Sequence, residues 1–388
     1  MEAAARLGAG QAHMIPGAKG QDALLPACFP RATMASMPDP SIPPYSSRSS
    51  VPAVARRTVV ALGATWLMVG PLTSPAMAHG VVPAEPPSVG GLLLGWSFEP
   101  AVLLPLVGVA VAWAWAVGRV NAAHPASPVP RRRSAAFLGG LAAIAVALLS
   151  GIERYDTTLF SIHMVQHILL TLVAAPLIAL GAPITLALRV ASPEVRRRVL
   201  LPALHSRALR ILAFPVVAWL LFAGVMWASH FSPLFDLALE DRLVHDLEHA
   251  LFLGSALLFW WPAVGLDPGP WRLSHPVRMI YVFLQMPQNT FLAVVILNAA
   301  APLYPHYATL VRAWGPTALV DQQIAGGVMW LVGDVLFIAA VAAILLGWMR
   351  HEERETARVE RRTDLERDTI RAREAQLAER LARERDRG

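Results

Sequence analysis

The sequence predicts an all-α protein, a polytopic membrane bundle of seven transmembrane helices that follows a signal peptide. Three observations predict it. Apolar residues make up 55% of the 388 and charged residues only 15%, with a mean hydropathy of +0.48, too little polar surface for a soluble domain of this length. Seven apolar stretches, near 98–117, 135–151, 163–188, 211–228, 244–265, 278–299 and 325–348, reach the about 17 to 25 residues that a helix needs to cross a bilayer. No segment alternates with the two-residue period of a barrel strand.

Residues 1–78 read as a leader and secretory signal. Arg56 and Arg57 precede the apolar TVVALGATWLMVG, and SPAMAHG supplies small residues at Ala76 and Ala78, the order of a signal cleaved after Ala78. The part before Met34 or Met37 is long for such a signal, which makes either methionine a candidate start; an uncleaved N-terminal anchor is the alternative. Cys28, the single cysteine, falls in this segment, so the mature chain would have neither a disulfide nor a cysteine metal site.

The membrane domain, 79–349, is oriented by its loops. Arg119 and Arg131 to Arg133 follow the first stretch; Arg189, Arg196 to Arg198, Arg207 and Arg210 follow the third; Arg272 and Arg278 follow the fifth. The alternate loops hold only Arg154, Arg242 and Arg312. Basic loops stay in the cytoplasm, which puts the N-terminus outside and the C-terminus in the cytoplasm. Lys19 is the only lysine, and the arginines sit in short runs beside apolar segments, where a membrane surface rather than a nucleic acid explains them. The charged tail, 350–388, reads as a solvated cytoplasmic helix laced by ion pairs one turn apart; Ile370, Leu377 and Leu381 are too few to sustain a heptad seam.

With this orientation, the outer ends of the stretches collect histidine. His163 and His167 lie one helical turn apart at the start of the third stretch, and His245 and His249 repeat the spacing within HDLEH of the fifth. His230 closes the fourth with Met226 one turn before it, and Met164 adjoins His163. A lone histidine at a membrane interface hydrogen-bonds to headgroups or water; two pairs at one depth form a candidate metal site of His163, His167, His245, His249, His230 and Met164. Imidazole with thioether and no thiolate suits copper, whereas imidazole with carboxylate, from Glu248 or Asp246, suits zinc or iron. Haem held by the histidine pairs is a further option, although it would lie near the outer surface. HDLEH also fits the H-x-x-E-H pattern of inverzincin proteases, but the distant carboxylate ligand and soluble catalytic domain are missing, so no enzyme is expected. Cleavage after Ala78 would expose His79 as an N-terminal chelator of Cu(II).

Polar residues inside the stretches are the second signal. The sixth holds Gln285, Pro287, Gln288 and Asn289 near its middle, where Pro287 frees a carbonyl and bends the helix. The seventh is entered through Asp321, Gln322 and Gln323 and carries Asp334 at membrane depth. An unpaired carboxylate there costs about 3 kcal/mol, so Asp334 should face the bundle, as a packing hydrogen bond to the sixth helix or as a transport or metal group. Gly326 and Gly327 mark a close helix contact.

HMVQHILLTLVAAPLIALGAPITLALR, HDLEHALFLGSALLFWWPAVGLDP, LYPHY and DQQIAGGVMW, in this order and spacing, resemble the CtaG family of cytochrome c oxidase assembly factors over about 160–350. The resemblance implies a seven-span protein of the bacterial plasma (inner) membrane, needed to mature a haem-copper oxidase. It implies oxidase subunits, a copper donor protein and membrane lipid as partners. It maps His163, His167, His245, His249, Asp321, Gln322 and Gln323 onto the family's polar positions. Asp334 is not mapped, because WLVGD departs from the proline-containing turn usual there. A cysteine-based family of copper-inserting factors shares the name, and its mechanism does not transfer to a mature chain without cysteine. The function expected is copper handling at the outer face through His and Met ligands; the alternative is a membrane haem-binding redox protein or an ion transporter using the histidine pairs and Asp334.

Overall fold

The computed structural model describes residues 82–387. The leader, the signal and its cleavage point, Cys28 and His79 lie outside the described residues. Every regular element among the described residues is helical, one of the two ways, with the closed barrel, in which a chain pairs its own backbone N–H and C=O groups where lipid offers no partner.

Six helices are long and apolar enough to cross a membrane: α1 (Pro100–Ala123), α2 (Arg131–Tyr155), α3 (Phe160–Val190), α6 (Arg242–Val264), α7 (His275–Leu297) and α8 (Ala318–Arg385). The fourth expected span departs from this. α4 (Pro215–His230) has 16 residues and is bent by 69° into α5 (Leu234–Glu240), so the pair is a broken span that would bring the number to seven. Pro233 explains the break, since it disfavours helical geometry at Ser232 and has no N–H to continue α4. Pro100, Pro215 and Pro276 stand in first turns, where a missing N–H costs nothing.

Two further prolines shape the site. Pro287 deprives the carbonyl of Phe283 of its helical donor, and α7 breaks one turn earlier, at Leu284, into His275–Phe283 and Gln285–Leu297. In α3 the turns Leu169–Ala174 widen to a π-helix, with the N–H of Ala175 on the carbonyl of Leu170. In that pattern the carbonyl of Thr171 would await the N–H of residue 176, which is proline. The indole N–H of Trp260, from α6, donates to it instead at 2.8 Å. Further on, α3 turns at Ala182 (φ 57°), and the restarted helix is capped by Asp267, which accepts from the N–H groups of Ile184 and Thr185 at 3.0 and 2.6 Å.

Between helices in lipid, close packing and hydrogen bonds replace the hydrophobic drive of water, so small residues sit at the contacts. A Cβ on Gly140 of α2 would stand 2.7 Å from Ile178 and 3.0 Å from the Ala174 carbonyl of α3. One on Gly326 of α8 would stand 2.9 Å from the Leu297 nitrogen of α7, while Gly327 meets nothing within 4 Å. Of the two glycines, only the first is a packing residue.

α8 runs for 68 residues through residue 350 without a break. Its exposed end carries ion pairs one turn apart, among them Arg362 to Glu366 at 3.2 Å and Arg383 to Glu379 at 3.5 Å. At the other end of the bundle the connection between α7 and α8 folds over α3. Tyr304 packs 4.6 Å from Phe160 and 4.3 Å from Phe235, ring centre to ring centre. Tyr307 donates its hydroxyl to the Asp156 carbonyl at 2.7 Å, His306 its ring N–H to that of Thr157 at 2.9 Å, and Leu303 its N–H to Gln322 at 2.7 Å. This aromatic cap closes the end of the bundle that holds the histidines.

Candidate metal centre

α3 and α6 are neighbours, and their histidine pairs face one another. The i, i+4 spacing sets His163 and His167 with ring centres 4.3 Å apart and His245 and His249 at 4.2 Å. Across the interface, His163 lies 5.5 Å from His245 and His167 lies 5.6 Å from His249. His230 of α4 reaches the lower side, 6.2 Å from His167, with its Nε2 3.4 Å from the sulfur of Met164. All five rings are buried, below the surface where the sequence placed them.

The local fold supplies the aim of each ring. Leu159 starts α3 without a side-chain cap, and Asp321 of α8 provides one from outside, accepting from the N–H of Phe160 at 2.7 Å and from the hydroxyl of Ser161. His163 follows in that first turn. The carbonyl of Met226 accepts from Nδ1 of His230 at 2.7 Å, which points Nε2 inward. Ring packing holds the rest, His167 lying 4.2 Å from Phe252 and His163 5.1 Å from Phe235.

Three carboxylates join the rings. Glu248 accepts a hydrogen bond from Ser229 and brings an oxygen 3.9 Å from Nε2 of His163. Asp156, in the turn between α2 and α3, lies 3.3 Å from Nε2 of His245. Burial pushes the Asp156 carboxyl up to about 8, against the hydrogen bond from the N–H of Thr157. Glu153 accepts from Gln166 at 2.6 Å, and the same amide donates to the Ala147 carbonyl at 3.0 Å. Burial raises the hydroxyl pKa of Tyr304 and Tyr307 in the cap, so both stay neutral donors.

Three overlapping sets could each hold an ion, with one ligand atom per residue and all within 4.8 Å of one another. They are His163, His245 and His249; His163, His167 and Glu248; and Glu153, Asp156 and His245. Tetrahedral ligands with bonds of ~2.0 Å stand ~3.3 Å apart, so the groups need to close by no more than about 1.5 Å. Both ring nitrogens of His163 and of His167, Nε2 of His249 and one oxygen of Glu248 make no hydrogen bond. Each such buried group costs about 1–3 kcal/mol in a purely structural role, which packing alone does not return.

The remaining residues read from the sequence have other places. Gln322 accepts from Leu303 and donates to the Ile296 carbonyl at 3.2 Å, so with Asp321 it fastens α8 to α3 and α7. Gln323 is exposed. Asp334 accepts from Thr290 at 2.6 Å and Asn289 at 3.4 Å, the packing bond to the sixth span. Asp246, weighed as a ligand, is exposed and belongs to none of the three sets. Asp156 and Glu153 take its place, and sequence reasoning missed both. Their signal was the acidic pair in ERYD, an unusual feature for a short turn at the mouth of two apolar helices.

A helical multi-pass membrane protein with a buried histidine and carboxylate centre under an aromatic cap is the class that this fold and site define. Residues 111–351 match the family described as cytochrome c oxidase caa3 assembly factor (Caa3_CtaG), and the chain belongs to that family. It is 31% identical over 287 residues to uncharacterized proteins of Mycobacterium bovis and Mycobacterium tuberculosis, and 28% identical over the same length to one of Mycobacterium leprae. In each case the match covers 72% of this chain and 43% of the relative, so the chain spans less than half the length of the curated relatives it matches. No solved structure matches it.

Proposed function

We propose that this protein is a non-catalytic assembly factor that holds copper as cargo at the outer face of a bacterial plasma membrane and passes it to a cytochrome c oxidase subunit. The observation that carries the reading is the set of imidazole nitrogens of His163, His167 and His249, buried together without hydrogen bonds in a chain of an oxidase-assembly family. Neutral imidazoles with Met164 and no thiolate bind copper while leaving it exchangeable, which a donor requires. In this reading the broken pair α4–α5 is the seventh span, the arginine-rich loops lie in the cytoplasm with the tail of α8, and the capped end faces outward toward a copper donor protein and the oxidase. A porphyrin is a poorer fit, because the rings touch one another and Phe252, leaving no slot between them. Ion transport through Asp334 draws no support from a carboxylate already occupied by Thr290 and Asn289.

The test is genetic and chemical together. A strain lacking the protein should lose oxidase activity and oxidase-bound copper, and a His163→Ala/His167→Ala variant present at normal membrane level should fail to restore either. Full restoration by that variant would remove the histidines from the function.

A further inference from the structure

Beneath the histidines lies a small cavity of about 20 Å³, room for one water-sized occupant, where α3, α4, α6, α7 and α8 converge. Its polar and polarizable lining is Met164, His167 and Thr171 from α3, Met226 and His230 from α4, Asn289 from α7 and Met329 from α8, with the Thr171 hydroxyl donated to the His167 carbonyl at 2.7 Å. The amide of Asn289 is turned away, donating to the Met329 carbonyl at 3.1 Å. That leaves three thioethers and two imidazoles from three helices around one space.

Methionine often merely fills gaps in a core, and that explanation has to be weighed first. The described residues contain six methionines, at 164, 226, 279, 286, 329 and 349, and three of them meet at this one cavity. A gap filler would also leave its neighbours satisfied. Here both ring nitrogens of His167 are buried without a hydrogen bond, and Nε2 of His230 faces the sulfur of Met164 at 3.4 Å. The rest of the wall includes Phe222, Phe252 and Phe337, which keep water out. Soft ligands of low charge in a dry shell suit a monovalent soft cation, whereas the carboxylates above suit a divalent one.

We infer that the protein has two metal compartments rather than one: an upper histidine–carboxylate centre, and a lower thioether–imidazole site of Met164, Met226, Met329, His230 and His167 that selects Cu(I). The second rests on the reading of copper as cargo. His167 belongs to both, since it also joins the set with His163 and Glu248, and it is the ligand through which an ion would pass between them.

The experiment uses the full chain purified in detergent, titrated anaerobically with Cu(I) against a chromophoric Cu(I) chelator and separately with Zn(II), with X-ray absorption at the copper edge. Sulfur scattering from wild-type-bound Cu(I) is expected. A Met226→Leu/Met329→Leu variant, close in volume to the wild type, should lose most of that scattering, keeping at most the one sulfur of Met164, and roughly tenfold or more in Cu(I) affinity, while Zn(II) binding stays as it was and reports an intact fold. Cu(I) bound by the wild type through nitrogen and oxygen alone, or equal Cu(I) affinity in the variant, would overturn the lower site and leave the copper function standing. A wild type that takes up neither metal would overturn both.

Discussion

Two regions of the bundle bury polar side chains in opposite ways. At the interface of α7 with α8 most polar groups are met: Thr290 and Asn289 donate to Asp334, Asn289 also to the Met329 carbonyl, and Gln322 to the Ile296 carbonyl, while the buried amide of Gln285 on α7 makes no hydrogen bond. At the interface of α3 with α6 several are not: the nitrogens of His163 and His167 and an oxygen of Glu248 have no hydrogen bond. Asp334 and Thr290 are half-buried and the histidines fully buried, yet both regions hold a carboxylate at a helix contact. The difference teaches where to look for chemistry. A satisfied polar group joins helices; a set of unsatisfied ones that share a centre is arranged for something that arrives from outside the chain.

The contrast can be broken by substitution. His163→Ala with His249→Ala should abolish copper retention, a fall of roughly a hundredfold or more in affinity, with a fall in melting temperature in detergent no larger than the lost ring volume explains, since orphaned groups are removed. A marked loss of stability with copper retained would place these rings among the structural ones. Thr290→Val, on the satisfied side, should do the reverse, destabilising the bundle by about 1–2 kcal/mol with copper content unchanged, as denaturation and elemental analysis would report. Asp321→Ala joins the two regions, because it removes the cap of α3. It should cost about 1 kcal/mol and also weaken metal binding severalfold, because His163 sits in the freed turn; rescue of affinity by Asp321→Asn would separate capping from charge. Trp260→Phe leaves the Thr171 carbonyl without a donor and should cost about 1 kcal/mol with little change in metal. Asp246→Asn should have the smallest effect on either quantity, and a loss of copper affinity as large as that of the histidine variant would make Asp246 a ligand.

Much of the fold was legible because a bilayer leaves few choices: six of the seven apolar stretches are helices that can span it. The fourth was read too simply. Its composition is apolar enough, but Pro233 ends it at 16 residues, and length in a hydropathy pattern does not say which way the chain turns. The histidine pairs were legible from their spacing, which a helix converts directly into a shared face. Their meeting was not, since no pattern within one helix fixes its neighbour. Asp246 and Asp156 show the same limit in reverse. Asp246 lies inside the motif yet stays exposed and outside the three sets, whereas Asp156 lies seven residues before His163 and reaches the centre only because the turn after α2 folds under Tyr307. Asp321 and Gln322 belonged to a recognised polar segment, but their work, capping and fastening a different helix, is visible only in three dimensions.

α8 carries one more consequence. It is a single rod of 68 residues, ~100 Å long at 1.5 Å per residue. One end is a charged arm that stands clear of the bundle, and the other bears Asp321, on which the first turn of α3 hangs. One continuous rod therefore carries both the exposed charged arm and the carboxylate that caps the turn holding His163.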